Sequence, residues 1–249
     1  MWREWLAAVA NLSTIRTLEC PGALIDRASE LMRAADHECL EWGHVNDLLP
    51  ASVTRHLTEA ISHDALRWGD VVARLAAHCG EIRVRTVSLD LGLDRMPASG
   101  FVTGLQRRLA LLDPLVAAEA AWELTACVAV RQPRSFPGSC EWEVAGNLVH
   151  ELRGTRFGLC VNVAPGELDE TFDLDVFLRQ CALHVQVIRL MYYPHHGDAL
   201  SDTFHTQWAA GLRRHGFSGL VVFCPRVDDL DQLPGILGRA DRWAENYAG

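Results

Sequence analysis

The sequence lacks several features that would fix its class at once. No apolar run approaches the ~20 residues that cross a bilayer, so no helical membrane span is expected. The opening MWREWLAAVANLS carries charges inside its apolar run and has no small-residue cleavage site, so it does not read as a signal peptide, and a cytoplasmic protein is expected. Arginine is scattered rather than gathered in a stripe, and the formal net charge is −9, which removes the footprint of a phosphate-backbone binder. There is no C-x-x-C pair among the eight cysteines, several of which lie in apolar runs such as TACVAV and GLCVNV, so buried thiols are expected rather than zinc or redox sites. Glycine-rich phosphate loops are missing, since DLGLD is too short and lacks the strand-to-helix glycine spacing, and so is a Ser-His-Asp nucleophile elbow. Finally, no Pro/Gly/Ser-rich linker or charge block divides the 249 residues, which are read as one domain, 1–249.

What is present is a repeated alternation. Short β-rich runs at 14–20, 38–45, 82–90, 125–132, 157–163, 185–193 and 219–224 are each followed by an amphipathic helical segment. Strand, helix, strand at this spacing predicts parallel βαβ units. Seven such strands are expected, and the chain already starts in a helical pattern, so an incomplete α/β barrel of the (β/α) type is predicted, its first strand missing.

Alternation within the strands adds a face code. In TACVAVRQ, Cys127, Ala129 and Arg131 share one face and Val128 and Val130 the other. The same parity places Glu19 after Thr17, Asp90 after Thr86 and Ser88, Asn162 after Cys160, Arg189 after Val187 and Cys224 after Val222. Small residues ending in a polar one suit the inside of a barrel, where the C-terminal strand ends line the active site, while the Val, Leu, Ile and Phe face packs under helices. Trp42 and His44, after the second strand, can stack on a sugar ring or pack.

With these landmarks the chain resembles the xylose-isomerase-like (β/α) barrels, which include sugar-phosphate isomerases and epimerases and metal-dependent abasic-site endonucleases. TLEC is similar to the family's early strand ending in Glu, and HGFSGLVVFCP to its last glycine-aromatic-x-glycine turn and strand. The resemblance implies a metal centre, yet Cys224 stands at the last strand's metal-binding Glu, Arg131 at the mid-barrel Glu, Asn162 at the next strand's Asp with Pro165 where a His follows, and Arg189 at the penultimate strand's His.

What the resemblance leaves intact is one loop. The stretch Tyr192 to His205, YYPHHGDALSDTFH, holds three histidines and two aspartates, and the family's Asp-x-His pair there is similar to Asp202 and His205 at one residue wider spacing. His195, His196 and Asp198 can assist in holding zinc, manganese or iron, or the segment is an ordinary turn or a substrate-contacting loop. Metal at this loop or no cofactor at all are both open.

The remaining candidates follow from chemistry. Arg131 and Arg189 put fixed positive charge where the family holds a cation, either as an anion site or in an ion network with Glu19, Glu41 or Asp90. Glu19, Glu41 and Asp90 are the candidate proton-moving carboxylates; Arg131, Asn162, Arg189, His195 and His196 are the candidate substrate contacts. The expected function is a divergent isomerase- or epimerase-like barrel with a degraded metal site, binding a small anionic sugar or metabolite. A non-catalytic barrel serving a protein partner and a metalloenzyme using the 195–205 loop are the alternatives. An open barrel edge also predicts a homodimer or a partner chain covering it.

Overall fold

Parallel pairing joins seven strands in plain sequence order, the arrangement that repeated right-handed βα units impose. The computed structural model describes residues 2–13, 16–46, 65–91, 101–110, 124–131, 140–152, 157–164, 168, 172–181, 183–192, 202–225 and 233–248. The strands are β1 Thr17–Pro21, β2 Glu41–Asn46, β3 Thr86–Leu89, β4 Thr125–Arg131, β5 Gly158–Val163, β6 Val185–Tyr192 and β7 Leu220–Pro225. Around them run α1 Trp2–Leu12, α2 Ala28–His37, α3 Ala65–Glu81, α4 Phe101–Ala110, α5 Cys140–Leu152, α6 Leu174–Cys181, α7 Asp202–Arg214 and α8 Leu233–Ala248. A short 3-10 turn, Gly22–Arg27, joins β1 to α2. All seven strands fall where the periodicity places them, to within a few residues.

The two faces of the sheet separate as the alternation predicts. Val87, Leu89, Val128, Val161, Val163, Ile188 and Leu190 point outward into one apolar core with Leu6 and Val9 of α1, Leu75 of α3, Leu148 of α5, Phe177 of α6, Leu212 of α7 and Trp243 of α8. Each such side chain removed from water contributes about 1.5–3 kcal/mol, and this layer holds the helices to the sheet. Inside lies a second, smaller cluster of Cys127, Ala129, Cys160 and Val187, with Leu220 and Val222 packed against it. Small inward residues let the sheet curl tightly.

Two features bring the last strand into place. Gly216 adopts φ +65 in the turn after α7, a conformation that L side chains rarely take. A Cβ on Gly219 would collide with the Gln186 carbonyl of β6, so the glycine-aromatic-x-glycine turn is needed for close strand approach, while Phe217 between the two glycines is buried.

Among the described residues β7 and β1 do not pair, and no eighth strand is seen. The sheet nevertheless curls until they face one another, because Cys224 Sγ of β7 lies 3.8 Å from Glu19 Oε1 of β1. Pro21 and Pro225 end these two strands, and a sheet tolerates proline at its edges because no ladder donor is required there. Outside, the helix ring is tied across the same gap by Ser13 Oγ, just after α1, donating to Asp241 Oδ1 of α8 at 2.8 Å. No described helix is long and apolar enough to cross a membrane.

Candidate functional site

Position in the sheet is what assembles the site. Arg131 pairs with Asn162, Asn162 with Arg189, and Arg189 with Val222, so strands β4 to β7 bring these positions to one level near their C-terminal ends. Arg189 Nε and Nη2 donate to Glu19 Oε2 and Oε1 at 2.8 and 2.7 Å, a two-bond fork on one carboxylate. Its Nη1 donates to Asn162 Oδ1 at 2.7 Å, and Asn162 Nδ2 reaches the Val130 carbonyl at 3.4 Å. The pair is nearly enclosed, with side-chain exposures of 10% for Arg189 and 15% for Glu19.

A third group completes the shell around Glu19. His44 Nδ1 lies 2.7 Å from Glu19 Oε2. A carboxylate only accepts, so Nδ1 carries the hydrogen. The turn of His44 into the barrel has a local cause: Leu18 pairs with Trp42 but Glu19 pairs with His44, so Gly43 is an extra residue bulged out of β2. The bulge lets two residues of equal parity point oppositely. Trp42 goes outward, its Nε1 donating to the Leu31 carbonyl of α2 at 3.2 Å, and His44 goes inward. Glycine suits the bulge because a Cβ there would run into Thr17 Cγ2 and force that side chain to shift. Trp42 is therefore a packing residue.

The charges follow from these contacts. Burial works to raise the Glu19 carboxyl, but the hydrogen bonds from His44 and Arg189, with the guanidinium charge, outweigh it and hold it below the usual carboxylate range. Burial opposes the Arg189 charge in turn, and the bond to Glu19 outweighs that, keeping the guanidinium protonated. At Cys224 burial, joined by the Glu19 charge, pushes the thiol up, so it is not a thiolate near neutral pH. Cys20, Cys79 and Cys127 are pushed up to about 12, chiefly by burial, and behave as inert core thiols.

The other sequence candidates fall into two groups, those the structure describes and those outside the described residues. Glu41 starts β2, is exposed, and accepts from Thr17 Oγ1 at 2.8 Å at the N-terminal ends of β1 and β2, away from the C-terminal strand ends. Asp90, just after β3, is exposed. Asp202 and His205 are corrected as to setting: they occupy the first turn of α7, three residues apart, rather than a loop. The physical reason is that an aspartate at a helix start suits the N-terminal end of the helix dipole, so the amphipathic run extends upstream of Thr206. Their side chains, that of Arg131, and all of His195, His196 and Asp198 lie outside the described residues. Among the described residues no group of three or more His, Cys, Asp and Glu gathers as a metal site. His44 is the site residue that strand parity misses, and Gly43 is the signal that could have marked it.

No family model matches the chain, and no curated protein matches it in sequence. Among solved structures it is similar to D-psicose 3-epimerase with D-tagatose from Clostridium cellulolyticum H10, at 11% identity over 99% of this chain and 93% of that one, with a TM-score of 0.68. It is similar also to a sugar phosphate isomerase/epimerase from Parabacteroides distasonis ATCC 8503, at 10% identity over 100% and 90%, TM-score 0.69. A third likeness is to 3-keto-D-glucoside 4-epimerase, YcjR, from E. coli, at 13% identity over 96% and 93%, TM-score 0.67. At such identities the likeness is one of fold: the chain has the (β/α)-barrel architecture of sugar isomerase/epimerase-like proteins, incomplete by one strand among its described residues.

Proposed function

We propose that this chain is a sugar-binding barrel of the isomerase/epimerase type with a degraded metal site, taking a small anionic sugar or related metabolite at the C-terminal strand ends. The observation that carries the reading is the two-bond fork of Arg189 on Glu19. A divalent cation here would have to displace a guanidinium from both carboxylate oxygens, and the neighbours it would then meet suit it poorly. Arginine cannot coordinate, Asn162 is a weak neutral ligand, and the Cys224 thiol is held protonated. The donor set does not fit the four-ligand centre that the family resemblance implies.

The same geometry favours ligand positioning over strong base chemistry at Glu19. A carboxylate that accepts from both Arg189 and His44, with its affinity for protons lowered, is a poor proton acceptor. Arg189 has five N–H donors, of which Glu19 and Asn162 take three, leaving, among the described residues, one on each terminal nitrogen for ligand oxygens. Arg131, paired in register with Asn162, adds a second arginine position at this level, which supports an anionic ligand.

The test combines metal content with binding. Untagged protein purified without chelator is assayed for zinc, manganese and iron, then titrated calorimetrically with D-fructose 6-phosphate and with D-fructose, before and after EDTA. The reading expects the phosphorylated sugar to bind more tightly, indifferent to EDTA. One metal per chain whose removal abolishes sugar binding would overturn it and return attention to the 195–205 segment. Absence of binding by both sugars would remove the sugar ligand. A second reading, a barrel that pairs with a protein partner or second copy, is favoured by β7, where Leu220, Val221, Val222, Phe223 and Cys224 are all only half-buried.

A further inference from the structure

His44 is 1% exposed, and among the described residues its Nε2 has no hydrogen-bond partner. Buried polar atoms in native proteins are nearly always satisfied, so an orphan marks a place for a water or a ligand atom. The ring cannot turn to relieve it, because Nδ1 is held by Glu19. With one hydrogen held on Nδ1, a ring that carries no second hydrogen leaves a lone pair on Nε2, an acceptor. The bulge at Gly43 aims this imidazole inward while Trp42 turns outward to α2.

We propose that His44 Nε2 accepts a hydrogen bond from a hydroxyl of the bound ligand, while the two remaining N–H groups of Arg189 donate to its carbonyl or oxyanion oxygen. The proposal rests on the sugar-barrel reading and narrows it. Glu19 sits between the two groups, bonded to each, so one carboxylate sets both the acceptor on one side and the donors on the other. A ligand matching both carries a hydroxyl at one end and an oxygen acceptor at another, as a polyhydroxylated keto-sugar does. A plain carboxylate or inorganic phosphate satisfies Arg189 and leaves Nε2 unmet.

The test is made on the full chain labelled with 15N-histidine. Free protein at neutral pH is expected to show His44 with Nδ1 protonated and Nε2 bare; the opposite tautomer overturns the proposal without any ligand. Saturation with D-fructose 6-phosphate is expected to move the Nε2 resonance toward its hydrogen-bonded position, whereas inorganic phosphate leaves it in place. His44→Phe, which keeps a ring and deletes the acceptor, is expected to bind D-fructose 6-phosphate about tenfold more weakly, the scale of one lost hydrogen bond. His44→Gln, able to donate to Glu19 and present an oxygen, is expected to recover part of that loss and serves if the phenylalanine variant does not fold. An Nε2 signal unmoved at saturation, as for an enclosed water only, or unchanged affinity in a folded variant, overturns the role of His44 and leaves sugar binding standing. Failure of the unaltered protein to bind the sugar overturns the underlying reading instead.

Discussion

Glu19 and Arg189 stand 170 residues apart in the chain and meet in a two-bond ion pair inside the barrel. The pair links edge strand β1 to β6 on the far side of the β7 gap, so it ties together strands that no backbone ladder joins. Both side chains are mostly buried, and deleting one partner leaves the other charge stranded. Arg189→Met is expected to cost about 3–5 kcal/mol of unfolding free energy, measured by urea denaturation. The double variant Glu19→Leu, Arg189→Met should lose clearly less than the two single losses combined. A single-variant loss below about 1 kcal/mol would class the pair with weak surface bridges.

The lowered Glu19 carboxyl gives this pair a pH signature. Its folded value lies below the unfolded value of about 4.3, so the unfolded chain binds more protons between the two. The stabilisation is therefore complete above the unfolded value and is lost as pH falls through the folded one. The gap in melting temperature between the unaltered protein and Glu19→Gln is expected to be wide at pH 7 and narrower at about pH 3. A gap that stays constant would assign the effect to packing.

Strand parity alone reaches a large part of this site. The alternation of small and polar residues places Glu19, Asn162, Arg189 and Cys224 inside, and the helical periods place the core outside, because both depend only on local geometry. What parity cannot deliver is which inward groups touch. The Glu19 to Arg189 contact depends on how far the sheet curls, a property of all seven strands together. His44 escapes for another reason: strict alternation puts it on the same face as Trp42, and only the extra residue at Gly43 separates them. Asp202 and His205 read as loop because no apolar residue marks the helix until Phe204 and Trp208, although the aspartate is itself a start signal.

Gly43 can be tested through its neighbour. A methyl group there would collide with Thr17 Cγ2, and β-branched threonine has little rotamer freedom to yield. Gly43→Ala is expected to destabilise the protein by about 1–3 kcal/mol, the usual scale of overpacking. Thr17→Ser removes the Cγ2 methyl while keeping the hydroxyl that bonds Glu41, so Gly43→Ala in that background should recover most of the loss. Equal destabilisation in both backgrounds would mean that backbone conformation at the bulge, rather than this contact, sets the need for glycine.

The open seam predicts a gradient of backbone protection. Strands β2 to β6 have ladder partners on both sides, whereas β1 and β7 pair on one side only among the described residues. An edge strand relies on its side chains for cover, and those of β7 from Leu220 to Cys224 are half-exposed, while Cys160, Val161, Val187 and Ile188 in β5 and β6 are buried. Local opening of such an edge needs fewer contacts broken than opening of the interior ladder. Native-state hydrogen exchange followed by mass spectrometry is expected to show peptides over 17–21 and 220–225 exchanging well before those over 158–163 and 185–192. If the edge peptides are as protected as the central ones in dilute monomeric protein, the seam is sealed within the chain, by residues beyond those described. If protection rises only with protein concentration, a second copy covers the edge, the outcome expected of strands whose backbone groups otherwise face solvent.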